Sequence, residues 1–321
     1  MTRQLTVTLE TVTPMFLAGA DNQTPELRPP SIRGQLRYWL RAALGAVVGD
    51  NLEALKRAEA EVFGDTNGTG AVQIKRVRWL KKIPEPIEEA ALPHHPRRNR
   101  QGWMKGFPAG EKFELVLTQH IKDDTTWLAA ISSLLLMVSY GGLGRRCRRG
   151  WGTVKAVKFN MSNSQLDQRW SEALASAPLN LNTANAFAEE TLPKFCQKLG
   201  VLVKELDKPA SFIVNSPNWR KIFISDNNRQ LWNDYKSTIV YFGEQEHRWL
   251  QANPNLVKSV GYTQPNRQAS PLWLRVLPVT IKSKTKYILL AALFNVDFPG
   301  SNYETVQDFL VNHANFSEVS Q

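Results

Sequence analysis

The chain has 321 residues, 42% hydrophobic and 21% charged, which excludes a wholly disordered tail and a coiled-coil rod. At roughly 100–200 residues per domain, that length points to two domains. Lys and Arg number 40 against 29 Asp and Glu, a formal net charge of +11 that favours a polyanionic partner and says nothing about fold.

Residues 3–12 alternate at period two and predict a strand, broken at Thr13-Pro14. A loop through Pro25, Pro29 and Pro30 leads to Ser31, which sits where an N-cap belongs. Leu36, Leu40, Ala43, Leu44 and Val47 then share one helical face. A short helix is expected around 51–62 and a strand from Ala71 to Leu80. Residues 81–110 hold five prolines and are expected to be a long loop. Glu111–Ile121 reads as a strand, Thr125–Tyr140 as a largely buried helix, and Thr153–Phe159 as a last strand. The order β-α-β-β-α-β is the ferredoxin-like arrangement shared with RNA-recognition modules.

The second half is less regular. Helical patterns occur near 165–176, 184–199 and 228–242, and strands at 272–281 and 286–296 flank a turn at Lys282-Ser283-Lys284-Thr285. A helix is expected near 303–314. The expected fold is therefore α+β: a ferredoxin-like domain over 1–160 and a second, degenerate one with helical insertions over 161–321. The positive charge is lopsided, with 24 basic and 15 acidic residues before position 161 and 16 and 14 after it.

Cys147 and Cys196 are the only cysteines, too few for a zinc ligand set or a disulfide scaffold, and a reducing cytoplasm is expected. The N-terminus lacks the unbroken apolar run of a secretory signal. The longest apolar stretch, Trp127–Tyr140, contains three serines and falls short of the roughly 20 residues of a membrane span. No membrane, metal or cofactor is expected.

Three segments carry the charge. Gly141-Gly142-Leu143-Gly144-Arg145-Arg146-Cys147-Arg148-Arg149-Gly150-Trp151-Gly152 sets five glycines around four arginines, with no acid from Thr125 to Leu166. Glycine allows close backbone approach to a phosphate, and arginine grips it with a planar fork. The competing reading is a solvated basic turn. In the second segment, Arg28 precedes Arg33, Arg37 and Arg41, spaced one turn apart along a helix with no acid between Glu26 and Asp50. Like charges at that spacing repel, so the stripe has a use at the helix N-terminus or snorkels over the core edge. The third is the 72–105 stretch, where Lys75, Arg76, Arg78, Lys81 and Lys82 lead to Arg97, Arg98, Arg100, Trp103 and Lys105. Cations interleaved with an aromatic suit single-stranded nucleic acid, and a mobile solvated loop is the alternative.

Catalytic candidates are sparse. His94-His95 stand as a pair, and either would serve as a general base for RNA cleavage, although a surface role is the simpler reading. Asp21, between Gly19 and Asn22, reads as a turn-former before an acid or base.

The blocks Thr13–Asp21, Glu26–Gly34 and Leu36–Arg41, with the Gly141–Gly152 loop, resemble the RAMP superfamily of CRISPR–Cas proteins. Among these they are similar to the large two-domain subunit at the tip of the Cmr-type (type III-B) effector complex. Arg267 with Ala269-Ser270-Pro271-Leu272 resembles a family motif in the second domain. The resemblance implies ferredoxin-like domains that bind CRISPR RNA and complementary target RNA in the cytoplasm, beside other Cas subunits, in antiviral defence. It implies a non-catalytic subunit holding the guide's 3′ part. The alternative is a metal-independent RAMP endoribonuclease that processes precursor CRISPR RNA. Residues 160–260 show no such resemblance, and the aromatic pattern of ordinary RNA-recognition sheets is missing.

Overall fold

The structure, a computed structural model, describes residues 2–49, 51–92, 102–120, 123–162, 181–200, 220–225, 231–260, 270–294 and 302–319. Strand β1 (Arg3–Thr11) alternates between buried and half-buried along its whole length, as its sequence pattern requires. It lies inside an antiparallel sheet of order β2-β5-β1-β6, formed with β2 (Val72–Trp79), β5 (Lys112–Gln119) and β6 (Val154–Ser162). Leu5, Val7 and Leu9 stand opposite Leu117, Leu115 and Phe113, so one face of the sheet is apolar.

That face is covered by α1 (Pro29–Val48), α2 (Leu52–Phe63) and α3 (Asp124–Tyr140). Helix α1 starts three residues earlier than expected. Arg28, in extended conformation, takes the N-cap position, and Pro29 and Pro30 open the first turn. Proline fits there because its missing N–H has no helical acceptor to lose. Ser31 lies inside the helix. In α3 two of the three serines of the apolar run are satisfied by carbonyls: Ser133 donates to Leu36 O on α1 and Ser132 to Leu128 O within the helix, both at 2.9 Å.

The expected long loop at 81–110 is corrected. Strands β3 (Ile87–Ala90) and β4 (Trp103–Gly106) pair antiparallel within it, and Met15 bridges Phe107. The prolines fall outside both strands, where no ladder hydrogen bond is lost.

Helix α4 (Leu181–Lys198) packs on α3 and adds Phe187, Leu192 and Phe195 to the same core. The expected helix at 165–176 lies outside the described residues. The helix expected over 228–242 runs instead as α5 (Tyr235–Ala252), started by Asp234, whose carboxylate accepts from Ser237 N.

The second sheet has the order β10-β7-β9-β8, from β7 (Arg220–Ser225), β8 (Leu272–Ile281), β9 (Lys284–Phe294) and β10 (Phe316–Glu318), all antiparallel. This is the same 4-1-3-2 order as the first sheet, so the molecule is α+β with two ferredoxin-like sheets. The second is degenerate in its last helix: α6 (Tyr303–Asp308) passes into a π-turn at Phe309–His313. Lys282 and Ser283, both at positive φ, close the β8–β9 hairpin in the left-handed geometry that matches strand twist. Strand β9 is apolar without alternation from Ile288 to Phe294 because both faces of this sheet are covered. Trp273 and Phe294 pack on Trp39 of α1, while Leu274, Val276 and Leu289 face Ile239 and Phe242 of α5.

Candidate nucleic-acid interface

The segment after β1, the start of α1 and the Gly/Arg loop meet at one end of the first sheet. The loop leaves α3 at Gly141 and crosses the post-β1 segment before entering β6. Leu143 N donates to Gly152 O, Gly152 N to Pro14 O and Arg145 N to Phe16 O, each at 2.9 Å. Thr13 Oγ1 donates to Gly150 O at 2.8 Å and receives Thr153 N at 3.0 Å. The glycines serve this crossing. A Cβ on Gly152, whose φ is +63°, would lie 1.9 Å from Leu143 O, and one on Gly144 would lie 2.6 Å from Phe16 O. Gly141 and Gly142 face the Trp39 indole and the Gly152 carbonyl just as closely.

The loop's four arginines divide by direction. Arg145 is exposed and donates to Asn22 Oδ1 at 3.1 Å. Arg146 is half-buried with φ +61°. Arg148 lies over the rings of Tyr38 and Trp273, 5.2 and 4.9 Å from their centroids, and donates to Ser270 O. Arg149 pairs with Glu246 at 2.9 Å and donates to Ser270 Oγ and Val260 O. The inner pair thus ties the loop to β8 and α5, while Arg145 faces solvent.

The α1 stripe divides likewise. Arg37 Nε and Arg41 Nη1 lie 2.5 and 2.6 Å from the two oxygens of Glu59, a buried carboxylate on α2. Arg28 is 3.7 Å from Glu26. Arg33 is exposed, has no ion pair among the described residues, and borders a cleft of about 600 Å³ between the α1 N-terminus and the turn at Gly64–Gly70. Arg76 and Arg78 share Glu114 on the outer face of the first sheet. Gln4, Thr6, Thr8 and Glu10 of β1 point to that same face, which agrees with the absence of an aromatic RNA-recognition pattern.

The two basic segments lie together: Gln35 Nε2 is 4.0 Å from Cys147 Sγ, and Arg148 sits on Tyr38. Arg267, His94, His95, Arg97, Arg98 and Arg100 lie outside the described residues. Asp21 is a turn-former, accepting from Gln23 N and Thr24 N at 3.0 Å and from the Thr24 hydroxyl at 2.5 Å. The Thr24 hydroxyl and these amides hold its carboxyl at about 2. Burial pushes the Cys147 thiol up to about 11, so it is a packing group inside the loop. Among the described residues no cluster of His, Cys, Asp and Glu is arranged to hold a metal, and no helix is long and apolar enough to cross a membrane.

One residue escaped the sequence reading. Arg275 on β8 is buried and reaches under the Gly/Arg loop to the carbonyls of Gly141 and Val154. Its only sequence signal is a lone cation in an otherwise apolar strand.

Twin antiparallel sheets of one strand order, with a Gly/Arg crossing before the last strand of the first, define the class of protein, and residues 8–155 match the RAMP superfamily. The "CRISPR system Cmr subunit Cmr1-2" of Pyrococcus furiosus is 30% identical over 173 residues, covering 46% of this chain and 91% of that protein. Cmr1-1 of the same organism is 27% identical over 280 residues, 79% of this chain and 77% of that one. The chain belongs to the RAMP superfamily, in the family of the Cmr1 subunits of CRISPR Cmr systems. In fold it is similar to the apo crystal structure of Cmr1 from P. furiosus, with a TM-score of 0.65, 19% identity and 98% of each chain covered. It is also similar to a chain of the type III-B Cmr-beta complex bound to cognate target RNA, with a TM-score of 0.58, 12% identity, and 97% of this chain and 99% of that one covered.

Proposed function

We propose that this chain is a non-catalytic RNA-binding subunit of a type III-B CRISPR effector. It holds the 3′ part of the CRISPR RNA and helps capture complementary target RNA beside other Cas subunits in antiviral defence. The carrying observation is the meeting of the α1 N-terminus with the Gly/Arg loop, which leaves Arg33 and Arg145 facing solvent while the neighbouring arginines are held by protein. The net charge of +11 and the Cmr1 relatives support the reading. Phosphate contacts supply affinity, and guide–target pairing supplies sequence choice. In this scheme residues 1–160 face the RNA and residues 161–321 back the Gly/Arg loop.

The test is equilibrium binding of the purified full chain to single-stranded RNA across a salt series. Each phosphate contact contributes about 0.7 to the slope of log affinity against log salt. Arg33→Ala and Arg145→Ala are each expected to lower affinity and flatten the slope by about that amount. Unchanged slopes in both would remove this face from the interface. Incubation with repeat RNA without metal tests the non-catalytic assignment: defined cleavage that is lost in His94→Ala or His95→Ala would overturn it.

A further inference from the structure

A second cleft, of about 540 Å³, opens beside the Gly/Arg loop. Its size is that of a small-ligand site, for which roughly 300–1,000 Å³ is usual. Phe16, Trp103 of β4, Asn22, Gln23 and Arg145 line it, together with the Lys105 and Glu88 pair. The chemistry of these groups differs from that of a plain phosphate patch. Trp103, on a four-residue strand, is 40% exposed. Asn22 and Gln23 carry amides able both to donate and to accept. Arg145 is the main cation, because Lys105 lies 3.9 Å from Glu88 across the β3–β4 ladder.

The backbone around the cleft is held in place. Asn22 has a φ of +60°, an uncommon conformation for a residue other than glycine. The Asp21 turn enforces it: Asn22 N donates to Gly19 O at 3.1 Å and Gly19 N to Thr24 O at 2.8 Å. Arg146, next to Arg145 in the facing loop, has φ +61°. Of the two, only Asn22 lines this cleft; Arg146 lines a separate cavity beside Arg149 and Trp151.

We propose that this cleft receives one unstacked base of single-stranded RNA, stacked on the Trp103 indole with its edge toward Asn22 and Gln23 and its phosphate on Arg145. The proposal rests on the RNA-binding reading and refines it, since it adds a base contact to a surface otherwise built for backbone. Stacking on an aromatic accepts any base, which suits a subunit that meets guides and targets of changing sequence. The two amides add a preference without an absolute requirement.

The experiment compares binding of the full chain to an oligoadenylate and to an oligomer of the same length with abasic sugars, each over a salt series. Trp103→Ala is expected to weaken oligoadenylate binding by roughly 5- to 100-fold while leaving its salt slope and the abasic affinity unchanged. Trp103→Phe is expected to restore most of the loss. Equal weakening on both oligomers, or no weakening on either, would overturn the base site while leaving RNA binding in place. Failure of the unaltered chain to bind either oligomer at low salt would instead sink the RNA-binding reading, and the base site with it.

Discussion

Arg275 on β8 donates from Nη1 to the carbonyl of Gly141 at 3.2 Å, and its Nη2 reaches Val154 O at 2.5 Å. One guanidinium from the second sheet therefore clasps both ends of the Gly/Arg loop. It is fully buried, and no carboxylate among the described residues pairs with it. Burial lowers its pKa to about 9, which means that the charged form is disfavoured in the fold. The unfolded chain then binds more protons between about pH 9 and the ordinary value of 12.5, so the penalty is complete at neutral pH and is relieved as pH rises through that window. A cation kept at such cost has a positioning role. Arg275→Met is expected to change the melting temperature little, because removal of an uncompensated charge offsets two lost hydrogen bonds. The same variant is expected to lower RNA affinity with no change in salt slope, since Arg275 touches no phosphate. A slope reduced by a full contact would contradict this placement.

Glu59 separates the arginines of α1 that are held by protein from the exposed Arg33. Its buried carboxylate is held by Arg37 and Arg41 from α1, so removal of either leaves charge without full compensation. The arginine side chains are 30% and 43% exposed, which screens the pair and lowers the cost below that of a fully buried bridge. Arg37→Ala is expected to reduce stability by about 1–2 kcal/mol in chemical denaturation, while the RNA salt slope remains unaltered. Arg33→Ala is expected to show the reverse pattern.

The first sheet was legible mainly through β1, which alternates from Arg3 to Thr11 because one of its faces is buried, whereas β5 is buried without alternation from Leu115 to Gln119. The buried helix at Asp124–Tyr140 was equally plain from its apolar run. What stayed hidden depended on distant partners. Strands β7 and β10 have six and three residues, too short for a periodic signal, and are held by register against β9 and each other. The β3–β4 hairpin was masked by the prolines around it. The density of Arg and Gly made the 141–152 loop stand out, yet no local feature distinguishes Arg145 from Arg149. That difference is created by Glu246, almost a hundred residues away on α5.

Both thiols are packing groups. Burial raises Cys147 to about 11 and Cys196 to about 12. The thiolate is the reactive form, and burial disfavours it in both residues. Iodoacetamide at pH 8 is expected to leave both residues unmodified in the folded chain and to alkylate both in denaturant, as read by intact mass. Rapid modification of Cys147 in the native protein would show that the Gly/Arg loop opens.

Asp123 caps α3 and links it to α4. Burial pushes its carboxyl upward, but the Lys198 ammonium and the hydroxyls and amides of Thr125 and Thr126 outweigh that and hold it at about 2. A lowered carboxyl pKa stabilises the fold above the ordinary value of 3.8, and the contribution disappears as pH falls from there toward 2. Asp123→Ala is expected to cost about 1–2 kcal/mol at neutral pH through the lost cap. In thermal melts across pH, the gap to the unaltered chain is expected to stay constant down to about pH 4 and to narrow below it.

Two glycines in the basic segments make opposite demands. Gly152 cannot accept a side chain: its φ of +63° and the Leu143 carbonyl 1.9 Å from a Cβ mean that Gly152→Ala must move backbone. A loss well above about 1 kcal/mol is expected, together with weakened RNA binding. Gly34 sits in the first turns of α1 beside Arg33, exposed, with nothing within 4 Å of a Cβ. Alanine there is expected to stabilise the chain by about 0.5–1 kcal/mol, because helical glycine costs that much in backbone entropy. The fold therefore gives no reason for glycine at this position, whereas a polynucleotide backbone lying close to the α1 N-terminus would. Gly34→Ala is expected to raise the denaturation midpoint and lower RNA affinity at once. A variant that is more stable and binds RNA with unchanged affinity would place the RNA path away from this turn.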